Sequence, residues 1–204
     1  ARRQRQMCIR DRLYDALQSR QPGPCCMGAA ERLVHAARER PDAPVLIATG
    51  FPEGGGVPET DGPVGAALLA RALFLGLGVI SVIVVDEDWE AMMHATCRGA
   101  GLAPRALPAS GRAEPIEFLR PVYIQTVPKD TTGCRAVTQS LLQQTQPSLL
   151  LAIERPGCNA RGLYHGLGGR PLDGMVADLD QLFIEARGLG PVSYTHLRAH
   201  ETRE

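Results

Sequence analysis

Apolar and polar positions change period several times along the chain, and each change marks an element. Over residues 29–40, Leu33, Val34 and Ala37 recur between charges at helical spacing, and Pro41 ends the pattern. Residues 45–48 form a short apolar run entering Thr49-Gly50, as a buried strand does. A Gly- and Pro-rich loop, 50–62, follows. Pro63 then opens a helical stretch over 64–75, in the first-turn position that proline tolerates, and Gly76 and Gly78 close it. The pattern continues with a strand over 79–85 ending at Asp86 and a helix over 88–98. Residues 99–130 are proline-rich, with short strands expected at 105–107 and 122–125. A helix over 135–144, a buried strand over 149–153 ending at Glu154, a glycine-rich polar loop to 174 and a helix over 178–187 complete the order.

Strands alternating with helices predict an α/β fold: a mostly parallel sheet with helices on both faces, a Rossmann-like three-layer arrangement. Ligands of such sheets bind beyond the carboxyl ends of the strands. The loop after Thr49, Asp86, and the loop after Glu154 all fall there. No internal repeat or linker divides the chain. Its 204 residues, 44% of them hydrophobic, suffice for one packed domain. No apolar run reaches the roughly 18 residues of a membrane-spanning helix, and no membrane partner is expected.

The two ends break this periodicity. RRQRQMCIRD (residues 2–11) and VSYTHLRAHET (192–202) resemble translated sequencing adaptors. The reading therefore assigns 1–12 and 192–204 to sequence outside the domain, and 13–191 to one domain. Without the ends, 15 basic and 19 acidic residues remain. A mildly acidic domain is a poor partner for nucleic acid. Outside the ends, the cysteines are Cys25, Cys26, Cys97, Cys134 and Cys158, with no C-x-x-C pair, which predicts free thiols in a reducing compartment. The expected location is the cytoplasm, or the mitochondrial matrix in a eukaryotic source. Lys129 is the only lysine and lies in a predicted surface turn, so Schiff-base chemistry has one candidate.

The segment from Thr49 to Pro63 carries the most chemistry. A strand, a glycine-rich loop and a helix start make an anion site, because helix N-terminal amides and the helix dipole favour negative charge. It lacks both the Gly-Lys-Ser/Thr of a phosphate loop and the G-x-G-x-x-G of a dinucleotide fold. The alternative is capping, with Asp61 as helix cap and glycine and proline shaping the turn. Arg155 suits either a carboxylate ligand or a surface ion pair. His94 reads as packed on its helix, while His165 stays open.

TGFPEGGGVPETDGPVGAALLARAL (49–73) resembles the signature of D-glutamate cyclase C-terminal domains, and VIVVD (82–86), LAIERPGCNARGLYHGLGG (151–169) and DLDQLFIEA (178–186) follow in the family's order. The resemblance spans most of 45–191 and is weakest over 99–148. It implies conversion of D-glutamate to 5-oxo-D-proline with loss of water, a hydro-lyase activity. It implies Glu59 and Asp61 at the chemistry, with Thr49, Gly50, Thr60, Gly62, Asp86, Glu154 and Arg155 around the substrate. A Gly-Asp-Gly-Gly-Asn-Glu motif that the family carries after the last matched helix is absent, so the fold is expected to be incomplete at its C-terminal side and the fragment to be short of activity. Acidic residues facing an anionic substrate make a divalent cation plausible, although no metal ligand set is assigned and no other cofactor is implied. The partner is the small-molecule substrate; the sequence leaves the oligomeric state open. A small-anion or nucleotide-binding α/β module without this activity is the competing reading.

Overall fold

The computed structural model describes residues 15–16, 19, 24–52, 57–166, 169–187 and 193–196. Helix α1 spans Cys25–Glu39. From Ala36 onward the chain forms one compact unit. Its elements run β1 (Val45–Thr49), α2 (Asp61–Leu77), β2 (Ser81–Asp86), a single 3-10 turn (Glu87–Trp89), α3 (Glu90–Gly99), β3 (Ala103–Ala106), β4 (Pro121–Val127), α4 (Thr131–Thr145), β5 (Leu149–Ile153), α5 (Asp180–Ala186) and β6 (Ser193–His196). The strands form one parallel sheet in the order β3-β4-β2-β1-β5-β6.

The residues explain the layers. β1, β2 and β5 are buried almost throughout and apolar except at Thr49, Ser81 and Asp86, as strands covered on both faces are. Leu46, Ala48, Val82, Val84, Leu150 and Ala152 pack with Cys134, Leu141 and Leu142 of α4 and Leu182, Phe183 and Ala186 of α5. The alternate strand positions Ile47, Ile83 and Leu151 are buried too. On that side α2 lies against β1, β2 and β5, and α3 against β2, β3 and β4. Ala66, Ala67 and Ala70 are the buried residues in the middle of α2, small enough to bring its backbone close to the sheet.

Strand order reverses at the β1–β5 pair, where Thr49 stands in register with Ile153. Chain connections leave β1 towards β2 on one side, while β5 leads away to β6 on the other. This is the switch point at which open parallel sheets form a crevice.

The predicted elements are all present, with shifted ends. Helix α2 begins two residues before Pro63, which keeps the proline in the first turn, where its missing N–H costs nothing. Helix α4 begins four residues earlier than the apolar pattern indicates, because Asp130 caps it by accepting from Gly133 N at 2.7 Å. Ser193–His196, inside the tail that the sequence reading placed outside the domain, forms edge strand β6 beside β5. The N-terminal 1–12 lies outside the described residues. No helix among the described residues is long and apolar enough to cross a membrane.

Candidate active site

Three carboxylates meet at the switch point. Glu59, Asp61 and Glu154 each present an oxygen, and these atoms all lie within 4.8 Å of one another. Glu59 precedes α2, Asp61 is its first residue, and Glu154 follows β5 directly. Glu59 is held by its backbone, whose N–H donates to Phe51 O at 2.8 Å across the mouth of the loop. Glu154 takes a left-handed backbone, φ 45°, uncommon for a residue with a side chain. That conformation turns the chain out of β5 while keeping the carboxylate beside α2.

Gly62 makes the approach possible. A Cβ there would stand 2.7 Å from Glu154 Cβ and 3.0 Å from Thr49 Oγ1. Only glycine lets the first turn of α2 lie this close to the ends of β1 and β5. Thr49 is fully buried, and its hydroxyl has no hydrogen-bond partner among the described residues.

The helix start departs from both sequence-based readings. Asp61 is not the cap: Thr60 occupies that position, exposed and without a side-chain cap bond. Asp61 Oδ1 instead accepts from the adjacent Gly62 N at 2.9 Å. Val64 N donates to Thr60 O at 3.3 Å, and Pro63 has no N–H. The amides of Gly62 to Val64, expected to face an anion, are therefore already used or absent.

Asp86 and Arg155 find each other. Asp86 is fully buried and Arg155 is 4% exposed. The guanidinium forks onto the carboxylate, with Nη1 to Oδ2 and Nη2 to Oδ1. Nη2 also donates to Ala177 O at 2.7 Å and Nη1 to Gly50 O at 3.4 Å, while Asp86 Oδ1 accepts from Ala177 N. The two side chains, expected as substrate contacts, form a buried ion pair inside the protein that joins the ends of β1, β2 and β5 to the approach to α5. Neither the substrate-carboxylate nor the surface-pair reading of Arg155 anticipates a buried pair.

A second cluster roofs the same edge. Phe51, Trp89, Tyr164, Leu172 and Val176 pack together, with Met92, Cys158 and Met175 against them. Gly50 lies beneath Trp89 at φ 108°, and a Cβ on it would meet the ring at 2.4 Å. Tyr164 donates its hydroxyl to Asp178 Oδ1, and Cys158 N donates to Asp180 Oδ2. Burial, reinforced by Asp180, pushes the Cys158 thiol up to about 11 and raises the Tyr164 phenol. Both stay protonated near neutrality. Burial likewise lifts Cys97 to about 12 and Cys134 to about 11. Cys26, Cys97, Cys134 and Cys158 are all free thiols.

The other sequence candidates fall elsewhere. His94 sits on α3, 3.8 Å from Glu90 one turn back. His165 lies in the roof loop, bridged to Pro171. Lys129 pairs with Asp88. A cleft of about 700 Å³ lies at the opposite, amino edge of the sheet, lined by Arg40, Asp42, Arg112, Glu114 and Gln144 among others; no member of the acidic cluster borders it.

A family model described as D-glutamate cyclase-like, C-terminal, matches residues 6–195. The chain belongs to this D-glutamate cyclase-like family. No curated protein matches it. The match includes 6–12 and 192–195, assigned above to sequence outside the domain. Within the cyclase-like domain, the Glu-Thr-Asp-Gly-Pro segment supplies two of the three clustered acids, and Glu154 of the Glu-Arg-Pro-Gly segment supplies the third.

Proposed function

We propose that this domain belongs to a D-glutamate cyclase, forming 5-oxo-D-proline and water. The observation that carries the reading is the meeting of Glu59, Asp61 and Glu154 at the switch point of a chain in this family. In the reaction the substrate nitrogen bonds to its own side-chain carboxyl carbon, one C–O bond breaks, and the two protons lost from the ammonium leave with that oxygen as water. The site must hold an ammonium, take a proton from it and return protons to the departing oxygen. Clustered carboxylates suit the first two tasks, and a carboxyl group so protonated suits the third. Glu59 and Asp61, on the loop and helix start, are the proposed acid–base pair, with Glu154 opposite them. The buried Asp86–Arg155 fork fixes the framework beneath.

The competing reading, a small-anion or nucleotide module, draws its support from a helix start with free amides. Here those amides are consumed by Asp61 and Thr60, which favours the acidic chemistry. The test is 5-oxoproline formation from D-glutamate by the full-length parent protein. Glu59→Gln and Asp61→Asn should each lower kcat at least a hundredfold while thermal unfolding is little changed. Parental rates in both variants would refute the assignment.

A further inference from the structure

We propose that the outer face of α2 is the contact surface of a symmetric homodimer, in which α2 packs antiparallel on α2 of a second copy of this chain. The inference is independent of the cyclase reading.

The first observation is the composition of the helix. After Asp61, α2 carries one charged side chain, Arg71, and its guanidinium is turned to Ala100 O at 2.6 Å. The face towards the sheet buries Ala66, Ala67, Ala70 and Leu73. The opposite face of such a helix should be polar, as it is on α4, which exposes Arg135, Gln143 and Gln144. On α2 it is apolar instead. Val64, Leu68 and Leu75 are 46%, 53% and 56% exposed, and Ala72 and Gly76 continue the exposed stripe. A helix that is hydrophobic all round belongs in an interior, and one side of α2 has none within its own chain.

Shape names the occupant. Val64, Leu68, Ala72 and Gly76 recur every four residues and form one ridge, of the kind that interdigitates when helices pack. The ridge tapers from large side chains to none. Turned end for end it fits its own copy: Val64 lies over Gly76 of the partner subunit and Leu68 over Ala72 of the partner subunit. Each pair then occurs twice about a two-fold axis, as a self-complementary interface requires. Leu75, on the adjoining row, meets Gly65 of the partner subunit in the same register. Gly76 adds an observation of its own. It has no positive φ, and a Cβ on it would meet nothing within 4 Å. Glycine weakens a helix, and neither backbone nor neighbours in this chain call for it there; a valine seated on it from a second copy does.

The area suffices. The 17 residues of α2 span about 25 Å, and α3 lies beside it with Ala91 and Ala95 exposed. Two helices about 10 Å apart present roughly 500 Å2 per copy and about 1,000 Å2 in all, the size at which specific interfaces begin.

The test is the mass of the full-length parent protein by sedimentation velocity between about 1 and 100 µM, because dimers respond to concentration by mass action. A dimer is expected. Leu68→Glu and Ala72→Lys should each weaken its Kd at least a hundredfold and sediment as monomers, with far-ultraviolet dichroism confirming folded chains. An equimolar mixture of the two variants should recover a dimer, because the introduced charges of opposite sign meet across the axis in this register and the remaining Leu68 and Ala72 pair as before. Ile184→Glu, at an exposed apolar residue of α5 on the other face of the sheet, should dimerise as the parent does. A monomeric parent at 100 µM, whose stripe is then covered by another part of its own chain or left bare, overturns the proposal. So does a dimer indifferent to Leu68→Glu, and a mixture that stays monomeric overturns the register on which it rests.

Discussion

Gly62→Ala asks whether the acidic cluster depends on the close contact between α2 and the end of β5. The added methyl would stand 2.7 Å from Glu154 Cβ and 3.0 Å from Thr49 Oγ1, whereas ordinary contact begins near 3.4 Å. A Cβ is fixed by its backbone and cannot rotate aside, so Glu154 or the first turn of α2 must move by several tenths of an ångström. Gly62 has no positive φ, so the collision is purely steric. Alanine in a helix is worth about 0.5–1 kcal/mol over glycine, while overpacking costs about 1–3 kcal/mol. The net stability change should therefore be a loss between about zero and 2.5 kcal/mol. Activity should suffer far more, because a displacement near 1 Å at reacting groups costs on the order of a hundredfold. Gly65→Ala on the same helix is the control. Its nearest neighbour, Ile153 Cγ2, would be at an ordinary 3.5 Å, so it should keep parental activity and gain up to about 1 kcal/mol. Initial rates of 5-oxoproline formation and thermal unfolding are measured side by side. A folded Gly62→Ala variant with the parental rate would refute the reasoning.

Three further outcomes follow from the geometry. Arg155→Met leaves Asp86 buried and unpaired and should cost about 3–5 kcal/mol in urea unfolding, whereas Asp86→Leu combined with Arg155→Met should recover most of that loss. Gly50→Ala combines a positive φ with a clash against Trp89 and should lower the melting temperature by more than Gly62→Ala does; an equal or smaller loss would deny that the roof presses on Gly50. The Cys97 thiol is raised from 9.0 to about 12 by burial, so its contribution to stability is complete below pH 9 and is lost as pH climbs towards 12. Cys97→Ala should flatten the alkaline decline of melting temperature between pH 9 and 11, and an unchanged slope would contradict it.

What could be read from the sequence was whatever periodicity and chain order control. β5 stands where the apolar run 149–153 puts it, and β1 extends the run 45–48 by one residue to Thr49. Parallel order then places Glu59, Asp61 and Glu154 at one edge, because each follows a strand. Pairing across the sheet was not legible. Asp86 and Arg155 lie 69 positions apart, and no local pattern distinguishes an arginine aimed at a ligand from one aimed at a neighbouring strand end. The preference of aspartate for caps made capping the alternative for Asp61, but its carboxylate turns to the next amide and leaves Thr60 at the boundary. The aromatic roof also went unseen. Phe51, Trp89 and Tyr164 are scattered singly through loops, and only the positive φ of Gly50 beneath Trp89 joins them. A signal for it exists in the glycine directly after β1, which the sequence pattern alone assigns to the loop and the resemblance to the substrate.

The Asp86–Arg155 fork carries a consequence for how the site comes into being. Loops usually open at little expense, because they bury few groups that need each other. Here the segment that follows β5 cannot lift without exposing or orphaning a buried ion pair whose members also bind Gly50 and Ala177. Local fraying at this edge is therefore coupled to separation of the three central strand ends. The acids gain, on irregular backbone, the persistence of residues built into the sheet. Amide hydrogens of Ala177 and of the carboxyl ends of β1 and β5 should exchange together, at the rate of global unfolding, and the site should vanish only when the fold does.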